Sequence, residues 1–75
     1  MKPTRTKIFD KFYNVSRIEY RVNGLLHRED GPAQIWDTGT IAWCLNGRLH
    51  REDGPAVIYP NGLMEWYKNG KEIDK

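Results

Sequence analysis

The sequence predicts an all-β fold, a single-layer antiparallel β-meander of stacked 23-residue hairpin repeats with about six or seven short strands. One observation behind this prediction is that His-Arg-Glu-Asp-Gly-Pro-Ala at residues 27–33 recurs unchanged at residues 50–56. Over the full period, residues 24–46 and 47–69 share 13 of 23 residues. The other observations are apolar residues at every second position of several segments and an Asn-Gly pair once in each period.

The same period predicts a single β-repeat domain over residues 1–75. Counted backwards, it makes residues 1–23 a degenerate N-terminal repeat; residues 24–46 and 47–69 are the complete repeats, and residues 70–75 form a C-terminal tail. A chain of this length buries only about 60% of the surface that its unfolded form exposes, so we expect a thin core.

The first repeat leaves two interpretations open for residues 8–13. The spacing between Ile8 and Phe12, and between Phe9 and Tyr13, is i, i+4, which is typical of a short amphipathic helix. The equivalent residues one and two periods later have strand-like surroundings. We therefore favour a strand over residues 8–13, and a short helix is the alternative.

Three equivalent strands with alternating side chains are expected next, and each runs directly into an Asn-Gly pair. Asn-Gly tolerates positive φ at both positions, as the two-residue type I′ turn of a hairpin requires. The aromatic residues of these strands recur at one period and therefore form a row on one face. The predicted core comprises this row and its apolar neighbours: Tyr20, Trp43, Trp66, Ile41, Leu45 and Ile58.

The opposite face of the predicted sheet is also rich in aromatic residues. A single sheet cannot cover both of its faces, and large exposed apolar patches mark interaction surfaces. Aromatic residues and arginine are also the residue types that dominate the energy of interfaces. We therefore predict that the partner-binding residues are Tyr13, Trp36, Tyr59, Tyr67, Arg17 and Arg21.

The recurring heptapeptide places an imidazole, a guanidinium and two carboxylates within four residues, a set that suggests catalysis or a metal site. A structural role is favoured, because a repeat scaffold needs the same corner at every step whereas an active site needs one asymmetric constellation. We therefore predict no enzymatic activity, no metal and no cofactor. The predicted structural corner residues are His27, Arg28, Glu29 and Asp30, with their copies His50, Arg51, Glu52 and Asp53.

Each residue type in the corner has an expected contact. Asp-Gly-Pro is turn chemistry, in which Asp30 accepts a backbone N–H and the proline directs the chain into an extended strand. Arg28 and Glu29, with their copies, are expected to form a ladder of ion pairs between adjacent repeats. His27 is expected to pack against an aromatic ring or to bond a backbone carbonyl.

The motif Asn-Gly-Arg-Leu-His-Arg-Glu-Asp-Gly-Pro-Ala-Val-Ile at residues 46–58, followed by Asn-Gly at 61–62 and Trp-Tyr-Lys-Asn-Gly-Lys at 66–71, resembles the MORN-variant repeat of small bacterial and bacteriophage proteins. The resemblance covers residues 17–71. It implies an elongated β-sheet scaffold for protein contacts or self-association, without catalysis. Ordinary MORN repeats form longer arrays and lack the His-Arg-Glu-Asp run, so their functions transfer poorly.

Charge is unevenly distributed, although the formal net charge is only +2. The first 22 residues contain six basic residues against Asp10 and Glu19, which could attract nucleic acid or an acidic protein. Cys44 is the single cysteine, so no intrachain disulfide can form. No secretory leader and no apolar run of membrane-spanning length is evident, so we expect a cytoplasmic location, in a bacterium or a host cell.

The sequence thus predicts a non-enzymatic protein-interaction module, in one version a phage-encoded inhibitor that binds and blocks a host defence protein or another host protein. We also expect a homo-oligomer, with a dimer favoured, formed through an aromatic face or through edge strands. The alternative is a nucleic-acid-binding accessory protein with Tyr13 or Trp36 stacked on bases. Its phosphate contacts would come from the basic N-terminal edge, namely Lys2, Arg5, Lys7, Lys11, Arg17 and Arg21.

Overall fold

The computed structural model describes residues 2–74, which contain antiparallel strands and turns and no helix. The all-β prediction is therefore confirmed. In chain order the strands are β1 (Thr4–Asp10), β2 (Val15–Val22), β3 (Leu25–Leu26), β4 (Gln34–Trp36), β5 (Ile41–Ala42), β6 (Cys44–Leu45), β7 (Arg48–Leu49), β8 (Val57–Ile58), β9 (Met64–Lys68) and β10 (Lys71–Ile73).

Eight of these strands form one open sheet in the order β1-β2-β4-β5-β8-β9-β10, with β3 also paired to β2. Strands β6 and β7 pair with each other. The described residues form ten strands, more than the six or seven predicted. One reason is that Trp43 separates β5 from β6, and the other is that a corner divides the segment after each of the first two Asn-Gly turns into two strands. The corner at residues 27–33 separates β3 from β4, and the corner at residues 50–56 separates β7 from β8.

The predicted strand over residues 8–13 is wrong in its bounds, and the alternative helix is absent there. Strand β1 ends at Asp10, and residues 11–14 form a turn. The Asp10 carboxylate accepts the backbone N–H groups of Phe12 at 2.9 Å and Tyr13 at 3.4 Å, and Asn14 adopts a φ of 55°. The 23-residue period predicts this segment wrongly, because these hydrogen bonds stabilise a turn at the position where the later repeats have a strand.

Each Asn-Gly pair makes the predicted hairpin turn. Asn23, Asn46 and Asn69 all have a φ of 52°, and the glycines that follow have φ values of 79°, 80° and 82°. Positive φ at both positions is the conformation of a type I′ turn, which matches the right-handed twist of the flanking strands. These turns therefore connect β2 to β3, β6 to β7 and β9 to β10.

The buried core consists of small residues. Ala33, Ala42, Cys44, Ala56 and Val57 are buried, and larger side chains pack around part of this group. The six residues predicted as core, Tyr20, Trp43, Trp66, Ile41, Leu45 and Ile58, are all half-buried, and Trp43 packs against the buried group. A single layer of short strands fully covers small side chains, while the large side chains that cover them keep one side exposed.

A ladder of apolar side chains crosses one face of the sheet through direct cross-strand pairs. Ile18 pairs with Ile35, Ile35 with Ile41, Ile41 with Ile58, and Ile58 with Met64. Directly opposed side chains of this kind each contribute roughly 0.2–1 kcal/mol. Because the ladder joins strands from both copies of the repeat, it stabilises their relative register.

Ile41 lies at the centre of this ladder and is half-buried, so Ile41→Ala is expected to lower the free energy of unfolding by about 2 kcal/mol, the lower end of the ~2–5 kcal/mol range for buried sites. Ile41→Val should lower it by about 0.5–1 kcal/mol. The matched control is Leu63→Ala, because Leu63 is 58% exposed and should change stability by less than about 0.5 kcal/mol. Urea denaturation measures all three, and equal effects of Ile41→Ala and Leu63→Ala would contradict the ladder.

Candidate functional site

Each corner is built around an arginine stacked on an aromatic ring from an earlier part of the chain, Tyr20 of β2 or Trp43 between β5 and β6. The Arg28 guanidinium carbon lies 4.0 Å from the centre of the Tyr20 ring, and that of Arg51 lies 3.9 Å from the centre of the Trp43 ring. Such cation–π contacts contribute about 0.5–1 kcal/mol at exposed sites and more when desolvated. The apolar stem of the arginine also shields the ring from water.

The remaining donors of each arginine bind the corner itself. Arg28 Nη1 donates to the carbonyl of Pro32 at 3.2 Å, and its Nε lies 3.3 Å from Asp30 Oδ1. The second copy has the same contacts at 3.1 Å and 3.3 Å. The predicted Arg–Glu ladder between repeats is therefore corrected, because each arginine pairs with the aspartate of its own corner, and Asp30 accepts from a guanidinium where a backbone N–H was expected.

The glycine of each corner leaves room for this guanidinium. A Cβ on Gly31 would lie 2.7 Å from Arg28 Cζ, and one on Gly54 would lie 3.0 Å from Arg51 Cζ. The Asp-Gly-Pro sequence therefore combines the acid that pairs with Arg28, the space for the guanidinium and the carbonyl that accepts its hydrogen bond.

The alanine after each proline bonds through its backbone to two neighbouring segments of the sheet. The carbonyl of Ala33 accepts from the N–H of Tyr20 at 2.8 Å, and its N–H donates to the carbonyl of Ala42 at 2.8 Å. Ala56 makes the equivalent bonds with Trp43 at 2.7 Å and Glu65 at 2.8 Å. Both alanines have 0% exposure, so no larger side chain fits without displacing a neighbour.

The histidine of each corner binds the Asn-Gly turn of the next hairpin. His27 Nδ1 accepts the backbone N–H of Asn46 at 3.0 Å, and His50 Nδ1 accepts that of Asn69 at 3.0 Å. The expected bond to a backbone carbonyl is thus corrected to a bond from a backbone N–H. On the other side of the ring, His50 Nε2 lies 2.6 Å from Glu52 Oε2. Because Nδ1 accepts, the neutral ring carries its hydrogen on Nε2.

A groove lies between the two corners and is lined by Arg28, Glu29, Trp43, Leu45, His50, Arg51, Glu52 and Asp53. Two pairs of its polar groups contact each other, His50 with Glu52 at 2.6 Å and Arg51 with Asp53 at 3.3 Å. Outside the groove, Lys68 Nζ also lies 3.1 Å from Glu52 Oε1. Lys68, followed by His50, lowers the pKa of Glu52. Within residues 2–74, no three His, Cys, Asp or Glu side chains converge on a point where they could hold a metal ion. The ion pairs and hydrogen bonds within each corner favour a structural role for these side chains.

A buried carboxylate binds the two arginines that were predicted to contact a partner. Glu19 is 2% exposed, and it accepts from Arg17 Nε at 2.8 Å and from Arg21 Nη2 at 2.9 Å. Gln34 Nε2 also donates to it at 3.1 Å. Burial raises the pKa of Glu19, but the bonds from Arg17, Gln34 and Arg21 together outweigh burial and lower it. The Arg-x-Glu-x-Arg spacing, which puts all three side chains on one face, is the sequence signal that could have revealed this cluster.

The four aromatic residues predicted to bind a partner do not lie together. Trp36, Tyr59 and Tyr67 are half-buried and pack against the buried group that contains Ala42, Ala56 and Val57. The Tyr59 hydroxyl donates to Glu65 Oε1 at 3.1 Å, and this bond raises the pKa of Tyr59. Tyr13 instead lies in the turn between β1 and β2. The structure therefore separates Tyr13 from the other three, which help to cover the core.

Tyr13 belongs to an exposed group that we call the aromatic tip, defined as Phe9, Phe12 and Tyr13. Their exposed fractions are 59%, 92% and 78%. The Asp10 carboxylate orders the turn that carries Phe12 and Tyr13, and Phe9 lies on β1 just before this turn. Sequence reasoning did not assign Phe9 and Phe12 to a site; the signal that could have found them is Asp10 and Asn14 bracketing a short segment, since both residue types favour turns.

Comparison of the chain with protein-family models, with curated proteins and with solved structures found no match. The interpretation of the site therefore rests on its own geometry. Residues 2–74 include no helix of the length and apolarity needed to cross a membrane. The thiol of Cys44 is buried, and burial raises its pKa, so the reactive thiolate is disfavoured.

Glu19→Gln should lower the free energy of unfolding by about 2–3 kcal/mol at neutral pH, because it removes the charge that compensates two arginines. The pKa of Glu19 is lowered from 4.5 in the folded protein, so its ionisation stabilises the fold above about pH 4.5. This stabilisation is lost as the pH falls through the lowered pKa. The difference between wild type and variant should therefore shrink in acid, as measured by urea denaturation at several pH values. A difference that is independent of pH would contradict this role.

His50→Ala should destabilise the fold by about 1–2 kcal/mol, and His27→Ala by less, because the His50–Glu52 distance is 2.6 Å and the His27–Glu29 distance is 3.5 Å. Nitrogen-15 chemical shifts should identify both neutral rings as the Nε2–H tautomer. An Nδ1–H tautomer at either ring would show that the bond to the turn is absent.

Proposed function

We propose that this chain is a non-enzymatic protein-interaction module that binds its partner through the aromatic tip. The observation that carries the proposal is the exposure of Phe9, near the end of β1, and of Phe12 and Tyr13 in the turn that follows. Few residues supply most of the energy of an interface, and large aromatic side chains are prominent among them. None of the three side chains belongs to the buried group, and each presents more than half of its surface to solvent.

The tip is held in place before any partner arrives. Strands β1 and β2 pair antiparallel along seven residues, from Thr4 opposite Arg21 to Asp10 opposite Val15. The bonds from Phe12 and Tyr13 to the Asp10 carboxylate close the turn at the end of this ladder. A preorganised anchor loses less conformational entropy on binding, which favours affinity.

The resemblance to MORN-variant repeats suggests a finer form of the proposal. In this form the chain is a phage-encoded inhibitor that acts in the cytoplasm and blocks a host defence protein or another host protein by occupying its surface. Self-association into a homodimer belongs to the same form, since the sheet is one layer thick and its apolar ladder is only half-buried. This finer form is an inference by analogy, whereas the aromatic tip is an observation on this chain.

Several residues that the nucleic-acid alternative needs are engaged in contacts within the fold. Of its six basic residues, Arg17 and Arg21 are bound to Glu19. Its stacking residue Trp36 is half-buried, which leaves Tyr13 as the exposed ring of the two. A protein partner therefore fits the described residues better than phosphates and bases do.

The experiment that tests the proposal compares the wild-type chain with Phe12→Ala/Tyr13→Ala in affinity capture from bacterial lysate. The double variant should keep its free energy of unfolding within about 0.5 kcal/mol, because both side chains are exposed. It should nevertheless recover the partner at least tenfold less well, as would follow from a loss of about 1.4 kcal/mol or more.

The matched control is Leu63→Ala, which removes a 58%-exposed side chain away from the tip and should leave capture unchanged. Nuclease treatment of the lysate separates the alternatives, since capture that disappears with it indicates nucleic acid. Recovery of the same proteins by wild type and double variant would overturn the proposal.

A further inference from the structure

Strand β1 forms the long free edge of the sheet. It is the first strand in the sheet order and pairs only with β2 along its seven residues. The opposite end of that order is β10, which has three residues. Unpaired strand edges present backbone donors and acceptors that readily accept another strand.

The backbone bonds of β2 show which groups of β1 are free. The Tyr20 N–H and the Ser16 carbonyl both bond towards the side of β4, so even-numbered residues of β2 bond to that side. The odd-numbered residues of β2 must then bond towards β1, because bonding alternates along a strand.

Arg21 lies opposite Thr4 and Arg17 opposite Ile8, so the even-numbered residues of β1 bond to β2. The N–H and C=O groups of Arg5, Lys7 and Phe9 therefore point outward along the free edge.

The same edge carries a set of cations without acidic partners. Among residues 2–74, the side chains of Lys2, Arg5, Lys7 and Lys11 are exposed and form no ion pair. Several cations elsewhere do have acidic partners, namely Arg17, Arg21, Arg28, Arg51 and Lys68. The one acid among the first 18 residues is Asp10, and its carboxylate bonds the backbone of the turn.

We propose that β1 binds an extended acidic segment of a partner protein as an additional strand of the sheet. This inference rests on the proposed function and gives the partner a chemistry and a binding mode. The outward groups of Arg5, Lys7 and Phe9 supply the backbone bonds of such strand addition. The unpaired cations supply charge complementarity, whereas a second copy of this chain would bring two sets of the same cations together.

The alternation of side chains defines what the added strand presents. Arg5, Lys7 and Phe9 point to one face of β1 because they are two residues apart. Alternate residues of the bound segment lie on that same face, so acids face Arg5 and Lys7, and an apolar residue faces Phe9. The segment then ends beside the aromatic tip, where Phe12 and Tyr13 contact the partner beyond the strand.

The test uses the nitrogen-15-labelled full chain and a blocked heptapeptide in which glutamate alternates with threonine. The control peptide has lysine at each glutamate position. On adding the glutamate peptide at low salt, amide hydrogen exchange at Arg5, Lys7 and Phe9 should slow at least tenfold. Exchange at Thr6 and Ile8 should be unchanged, since these amides already bond to β2. This alternation would not arise from charge attraction alone.

Arg5→Glu/Lys7→Glu keeps the backbone edge and should reverse the preference, so that the lysine peptide binds at least tenfold more tightly than the glutamate peptide. The proposal is overturned if the glutamate peptide fails to bind, if both peptides bind equally, or if binding leaves exchange at Arg5, Lys7 and Phe9 unchanged. It is also overturned if a single-stranded oligonucleotide with steep salt dependence, and neither peptide, protects the edge.

The two proposals fail separately. If the glutamate peptide does not protect the edge but Phe12→Ala/Tyr13→Ala loses its partner, strand addition is wrong and the aromatic tip remains the binding site. If the peptide protects the edge but capture is independent of the tip, the proposed role of the tip is wrong.

Discussion

The stacking of a corner arginine on an aromatic ring from an earlier part of the sheet is the interaction on which the rest of this structure depends. Arg28 lies over Tyr20 and Arg51 over Trp43, at 4.0 Å and 3.9 Å. A single layer of short strands has no second layer to cover its aromatic residues, so the apolar stems of the arginines cover part of each ring. Because each guanidinium also binds a proline carbonyl, stacking holds the corner against the strand.

The contacts beyond the corner follow from that placement. Once the arginine positions the corner, the alanine at its end lies between two neighbouring segments of the sheet and bonds to both. The histidine before it reaches the next Asn-Gly turn with Nδ1, at 3.0 Å in each copy. Each corner therefore joins the strand before it, the strand after it and the turn of the following hairpin, which lets a chain with a small buried core maintain its fold.

The division of charge separates the scaffold from the proposed binding surface. Within the sheet and its corners, many carboxylates and cations are paired. Glu19 needs such a pair most, because its carboxylate is buried, and it contacts Arg21. Along β1 the cations have no acidic partners, and the aromatic tip adjoins them. Unpaired charge beside exposed aromatic rings contributes little to a folded monomer, but both features favour association with a partner of complementary charge.

The sequence by itself determined the all-β class and the three Asn-Gly hairpin turns. Alternating apolar residues require a strand with two faces, and Asn-Gly requires a turn with positive φ, so both follow from chemistry within a few residues. The recurrence of residues 27–33 at 50–56 likewise predicted two corners of the same kind, and the same contacts are found in both.

Only the tertiary structure decided which partner each corner residue takes. Arg28 had Glu29 and Asp30 within reach in sequence, and the ring of Tyr20 beneath it settled the choice of Asp30 and the proline carbonyl. The burial of Glu19 also depends on Gln34, which is distant in sequence and adjacent in the sheet. The N-terminal turn was missed because the repeat register outweighed the local signal of Asp10. Pairing between groups far apart in sequence depends on which strands lie side by side, and the local pattern of residues does not contain that information.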